Sequence, residues 1–103
     1  MLEAEIFRAL GDPVRIEIVT RLTNGEPHTI SSVSNNLAIT RQGARKHLQV
    51  LVDAKLILLV PRGRDTDVVL QRKTLDKANA FIQKLEKQWD TRLEALRNFV
   101  DGE

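Results

Sequence analysis

The stretch from Ile30 to Leu59 (ISSVSNNLAITRQGARKHLQVLVDAKLILL) constrains the fold more than any other part of the chain. It reads as two short helices joined by a tight turn and followed by a strand. Ser31 and Thr40 each stand where a helix would begin, and each carries a hydroxyl able to cap the free N–H groups of a first turn. The second helix places Arg41, Gln42, Arg45, Lys46 and Gln49 on one side and Ala44, Leu48, Leu51 and Val52 on the other. A short capped helix followed by a polar, basic one is how a helix-turn-helix offers side chains to a DNA major groove.

The flanking segments supply a frame. Leu2 to Leu10 predicts a helix with Ile6, Phe7 and Leu10 apolar, ended by Gly11-Asp12-Pro13. Asp12 is a natural N-cap and Pro13 a natural first residue for a second helix, which runs to about Thr23 and buries some combination of Val14, Ile16, Ile18, Val19 and Leu22. Asn24-Gly25 stops that helix, and Pro27 to Ile30 allows at most one brief strand. Lys55 occupies a position where helices usually end in glycine, so the backbone there is either strained or closes differently. Leu56 to Val60 and Val68 to Gln71 predict a β-hairpin around the polar segment Pro61 to Asp67, with Arg62 and Arg64 forming a basic tip.

Thr74 is the expected N-cap of a last helix reaching about Asp101. Its apolar residues Leu75, Ala78, Ile82, Leu85, Trp89, Leu93, Leu96 and Val100 recur in steps of three and four. A helix of about 27 residues is roughly 40 Å long, whereas a domain of about 100 residues has a radius of gyration near 13 Å. One small core cannot readily cover such a stripe. Pairing of its outer part with a second subunit is the favoured reading, and coverage of the chain's own core is the alternative. The interface set expected on the first reading is Leu2, Ile6, Leu85, Trp89, Leu93, Leu96 and Val100, with Trp89 as a packing anchor.

With 103 residues, 42% of them hydrophobic and 29% charged, the chain suits one globular domain, residues 1–103. The absence of cysteine removes disulfides, thiolate nucleophiles and sulfur-ligated metals. No apolar run is long enough to span a membrane and no export signal is visible, so a cytoplasmic protein is expected. No nucleophile–base constellation or phosphate-cradling glycine loop argues for an enzyme, and no catalytic residue or cofactor is expected. The net charge is only +2, but its distribution is uneven. Thr40 to Lys73 holds eight basic and three acidic residues, a surplus of five, which leaves a deficit of three for the remainder. Such a basic middle suits a polyanion-binding surface, or else a solvated surface with chance clustering.

The order of elements is that of a winged helix-turn-helix, a mainly α (α+β) fold with a two-stranded wing and a long C-terminal helix. Three phrases in this order resemble the ArsR-type transcriptional regulators: Ala9-Leu10-Gly11-Asp12-Pro13-Val14-Arg15, then Gln42 to Leu51, then Leu56-Ile57 leading into Arg62-Gly63-Arg64. The resemblance covers nearly the whole chain. It implies a homodimeric DNA-binding repressor whose terminal helix lies at the dimer interface, with the helix-turn-helix at about 31–54, the wing at about 56–72 and the dimerisation helix at about 74–101. The thiolate site of the family's metal-sensing members would fall at Thr29 and Ser31, where neither hydroxyl is a soft ligand. The terminal helix holds Asp76, Glu86, Asp90 and Glu94 but no histidine, so no metal site is expected there either.

The expected DNA-binding set is Thr40, Arg41, Gln42, Gly43, Arg45, Lys46, Arg62 and Arg64. Arginine can pair bidentately with guanine and glutamine with adenine. Gly43 lowers helix propensity, and close approach of the backbone to DNA is the functional reason favoured for it. His47, beside Leu48, is read as a packed, hydrogen-bonded structural residue. The expected function is that of a homodimeric regulator reading a palindromic site in double-stranded DNA, acting as a repressor, with its small-molecule effector, if any, left open by the sequence. A winged-helix module that binds another protein without reading DNA is the alternative.

Overall fold

Asp12 sets the first corner of the structure, a computed structural model that describes residues 2–102. Helix α1 (Leu2–Leu10) ends at Gly11, and the Asp12 carboxylate accepts hydrogen bonds from the Val14 and Arg15 amides at 2.8 and 3.2 Å to open α2 (Pro13–Arg21). Pro13 fills the first helical position, where a missing N–H leaves nothing unpaired. Helix α2 closes at Arg21, short of the expected Thr23, with Leu22 as its C-cap. Gly25, at φ 84°, then turns the chain into the two-residue strand β1 (His28–Thr29).

Two arginines on α2 serve its neighbours. Arg15 Nε donates to the Ala9 carbonyl at 2.6 Å and Nη2 to the Arg8 carbonyl at 3.3 Å, which also accepts the Gly11 amide at 3.1 Å, so the guanidinium binds the end of α1. Arg21 Nη1 donates to the Val33 and Asn35 carbonyls at the end of α3 (Ile30–Ser34), while its Nε pairs with Glu17 one turn back. Helix α2 thus fixes the ends of both flanking helices through charge-assisted bonds.

Ser31 does not open α3. Thr29 does, because it is already extended at the end of β1 (φ −99°, ψ 173°). Its Oγ1 accepts from the Ser32 amide at 3.1 Å, and Ser32 Oγ accepts from the Thr29 amide at 2.9 Å. This reciprocal cap starts the helix at Ile30 and leaves Ser31 exposed within the first turn. The turn to α4 (Arg41–Asp53) passes through left-handed backbone at Asn36 and Ala38.

Helix α4 ends with Lys55 at φ 62°. The Leu56 amide donates to Leu51 and the Lys55 amide to Val52, both at 2.9 Å, which is a Schellman closure with lysine in the glycine position. The Lys55 carbonyl left by that closure accepts a hydrogen bond from Thr74 Oγ1. Thr74 is therefore a buried link and not the N-cap of α5 (Arg72–Asp101), which starts two residues earlier after Gln71 without a side-chain cap.

Strands β2 (Ile57–Arg62) and β3 (Asp65–Leu70) pair antiparallel from Ile57↔Leu70 to Arg62↔Asp65, and β1 joins the far side of β3 to give the order β1-β3-β2. The hairpin is longer and tighter than expected. Pro61, Arg62 and Asp65 to Asp67 lie in the strands, and the turn is Gly63-Arg64 alone. A positive φ at Gly63 but not at Arg64 is the pattern of a turn that requires glycine first.

Ile6, Ile18, Val33, Leu48, Leu51, Leu56 and Ile57 are fully buried and form one core with Ala9, Val68 and Ala78. Each large aliphatic side chain of this kind contributes about 1.5–3 kcal/mol by its burial. Ile6, expected at a subunit interface, is enclosed by the chain's own core and offers no surface to a partner. Leu2 packs against the edge of that core.

Helix α5 meets the core only over its first turns, where Thr74 and Ala78 are buried and the Phe81 ring sits 5.8 Å from Phe7. From Ile82 to Gly102 every residue is exposed. The molecule measures 70 × 26 × 25 Å with a radius of gyration of 18.7 Å, well above the roughly 13 Å of a globular domain of this length. Among the described residues no helix is long and apolar enough to cross a membrane.

The backbone at Lys55 gives a direct test of the closure. Lys55→Gly relieves left-handed strain without touching the core, and a gain of about 1 kcal/mol is expected. Thermal unfolding should show Tm raised by several degrees; an unchanged or lower Tm would show that lysine carries no strain there.

Candidate nucleic-acid interface

Helix α4 is anchored on one side and bare on the other. Ala44, Leu48 and Leu51 are buried, whereas Arg41, Gln42, Arg45, Lys46 and Gln49 are exposed. Gln49 is tied to Asp53, to which its Nε2 donates at 2.8 Å. Thr40 caps the helix by accepting the Gly43 amide on Oγ1 at 2.9 Å. That cap also gives Gly43 a local reason. A Cβ at Gly43 would come within 3.1 Å of the Thr40 hydroxyl, so any larger residue presses on the cap itself.

His47 is half-buried on the same helix and belongs to the anchor. Its Nδ1 lies 3.1 Å from Arg15 Nη1 and 3.9 Å from Asp12 Oδ1. A guanidinium can only donate, so in this contact Nδ1 stands as the acceptor. Asp12, Arg15 and His47 thus join the α1–α2 corner to α4. The sequence placed His47 as a structural residue, but Arg15 had no role assigned. Its signal was there in the phrase Gly11-Asp12-Pro13-Val14-Arg15, yet only the folded chain shows which carbonyls and which ring it reaches.

Thr40, Arg41, Arg45 and Arg64 come together around one cleft of about 460 Å³ between α3, the start of α4 and the wing tip. Ser31, Ser34, Asp65 and Thr66 also line it, along with the apolar Ile30, Ile39 and Ala44. The Ser34 hydroxyl is buried with no hydrogen-bond partner among the described residues. Gln42 and Lys46 are exposed on α4 outside the cleft lining.

Arg62 stands apart from this group. Its Nε and Nη2 donate to the two carboxylate oxygens of Asp67 at 2.9 and 3.1 Å. That hydrogen bond, then the charges of Asp67 and Asp65, strengthen its hold on its proton. The expected basic tip is therefore balanced: Arg62 and Arg64 are matched in number by Asp65 and Asp67. The sequence underweighted these acids because pairing across a hairpin depends on register.

Thr29 and Ser31 both line the cleft, and Thr29 also caps α3 through its hydroxyl. Among the described residues no group of three or more His, Asp or Glu side chains gathers where a metal could sit.

Four helices, the last of them capped and basic, with an adjoining hairpin define a winged helix-turn-helix of the DNA-binding class. Residues 10–60 match the helix-turn-helix domain family. YuzN, an uncharacterized HTH-type transcriptional regulator of Bacillus subtilis (strain 168), is 33% identical over 76 residues, covering 68% of this chain and 83% of its own. The structure is similar to an ArsR-like transcriptional regulator from Rhodococcus sp. RHA1, with a TM-score of 0.82 at 31% identity over 95% of this chain and 92% of that one. A second solved ArsR family regulator superposes with a TM-score of 0.80 at 25% identity over 86% of this chain and 91% of that one. The chain belongs to the ArsR-type winged helix-turn-helix transcriptional regulators.

The anchor predicts an acid sensitivity. Partial burial works against the Asp12 carboxylate, but the Arg15 and Val14 amides, with His47 and Arg15, outweigh it and hold its pKa below the ordinary 3.8. A depressed carboxylate contributes stability above its unfolded value and loses it as pH falls through the folded one. Stability should therefore drop from about pH 4 downwards, less steeply in Asp12→Asn, which keeps the cap but not the charge. Denaturant unfolding across that range checks this; equal slopes would remove Asp12 from the acid response.

Proposed function

We propose that this regulator acts as a homodimeric, sequence-specific repressor that reads a palindromic operator. The observation that carries the reading is the bare face of α4, where Arg41, Gln42, Arg45 and Lys46 are exposed with Thr40 at the helix start and Arg64 beside it. Paired α4 helices would enter successive major grooves about 34 Å apart. Thr40 would add a phosphate contact near the helix N-terminus, and Gly43 lets the backbone approach closely there. Cytoplasmic action follows from this role.

Support for the dimer comes from α5. Leu85, Trp89, Leu93, Leu96 and Val100 are all between 45% and 67% exposed on one stripe. A contiguous apolar face of that size is a mark of an interface. A second copy, presenting the same stripe, is the occupant that a two-fold interface requires. Ile6 has no part in it, and Leu2 could contribute only its exposed edge. With hydroxyls at Thr29 and Ser31, regulation would not run through a thiolate-bound metal.

Two measurements test these statements. Arg45→Ala should weaken binding to a selected operator about 5- to 150-fold while leaving the dimer intact. An operator recovered from a random duplex pool supplies the ligand, and undiminished binding by the variant would remove α4 from the reading role. Leu93→Asp should weaken self-association at least ~30-fold in sedimentation equilibrium. A wild-type chain that sediments as a monomer at micromolar concentration would overturn the dimer.

A further inference from the structure

The register of the wing places two opposite charges where they must meet. Arg62 is opposite Asp65 and diagonal to Asp67 on the same hairpin. Alternation along β2 puts Arg62 on the exposed face with Leu58 and Val60, while Ile57 and Leu59 turn inward. The guanidinium edge then meets the Asp67 carboxylate in a two-bond fork at 2.9 and 3.1 Å. Strand pairing fixes the two backbones within reach of each other, and a bidentate fork is the geometry in which a surface pair persists. Asp67 is the less exposed partner, with 27% of its side chain accessible against 64% for Arg62. Arg64 differs in every respect. It sits in the turn, makes no ion pair within 4.0 Å among the described residues, and lines the cleft with Arg41 and Arg45.

We infer that Asp67 is a specificity-determining residue: by occupying Arg62 on the outer face of the wing, it withholds one cation from the DNA backbone and leaves Arg64 as the wing's contact. This rests on the DNA-reading role of α4 and the wing. Each phosphate neutralised by a cation adds affinity that is blind to sequence and steepens the dependence of binding on salt. A wing with both arginines free would raise affinity for every duplex alike. With Arg62 held by Asp67, the wing adds one cation near the cleft, and discrimination rests on α4.

The test is a double-mutant cycle on binding to mixed-sequence duplex DNA and to a selected operator, each measured over a range of salt. Asp67→Asn should steepen the slope of log K against log salt by about 0.9, the value of one more phosphate contact. It should also raise affinity for mixed-sequence DNA several-fold and lower the preference for operator by a similar factor. In an Arg62→Gln background the same Asp67→Asn change should add nothing. An equal gain in both backgrounds would overturn the proposal, since it would reflect only the loss of a negative charge. A loss of binding in a folded Asp67→Asn chain would also overturn it, showing that Asp67 presents Arg62 to DNA. Absence of salt-sensitive binding by the wild-type chain would instead defeat the DNA-reading role on which the proposal rests.

Discussion

At Lys55 the chain takes a left-handed step, and the placement of nearly everything functional follows from it. The Leu56 and Lys55 amides return to Leu51 and Val52, so α4 stops abruptly and the backbone leaves at a fixed angle into β2. Leu51 and Leu56, both fully buried, clamp the closure from inside. The return from the wing uses the same knot, because the Gln71 amide donates to the Leu56 carbonyl at 2.8 Å and Thr74 Oγ1 donates to the Lys55 carbonyl. Helix α4, the wing and α5 therefore share a few backbone groups. A chain closing α4 differently would have the same three elements in another relation.

A second set of constraints comes from α2. Arg15 and Arg21 reach outward from that short helix to the carbonyl ends of α1 and α3. Carbonyls at helix ends need hydrogen-bond donors, which an apolar core cannot supply. Arg15 supplies them and also faces His47, so the corner at Asp12 and the back of α4 are joined by one guanidinium. The front of α4 can then stay bare, since its position does not depend on those side chains.

Much of this was legible in the residues. Asp12-Pro13 and Thr40 announced the helix starts they make, because an N-cap acts within its own first turn. The two sides of α4 followed from helical spacing alone. Ser31 and Thr74 misled for a common reason. Each stands near a helix start, but a neighbouring group decides which hydroxyl is used. Thr29 is extended by its pairing with Asp67 on β3, and Thr74 is drawn to a carbonyl that α4 leaves open. Arg62 misled in the same way, since its partner Asp67 is chosen by strand register.

The sequence by itself determined the order of elements, the apolar stripe of α5 and the basic face of α4, because helix periodicity and caps are local properties. Only the tertiary structure decided which charges remain available. Arg62 and Arg64 are two residues apart and alike in chemistry, yet one is held by Asp67 and the other faces the cleft. It likewise decided that Ile6 belongs to the core while the stripe from Ile82 onward stands clear of it. These outcomes depend on what lies opposite a side chain in space, and the pairing of strands and the direction of α5 set that only once the chain has folded.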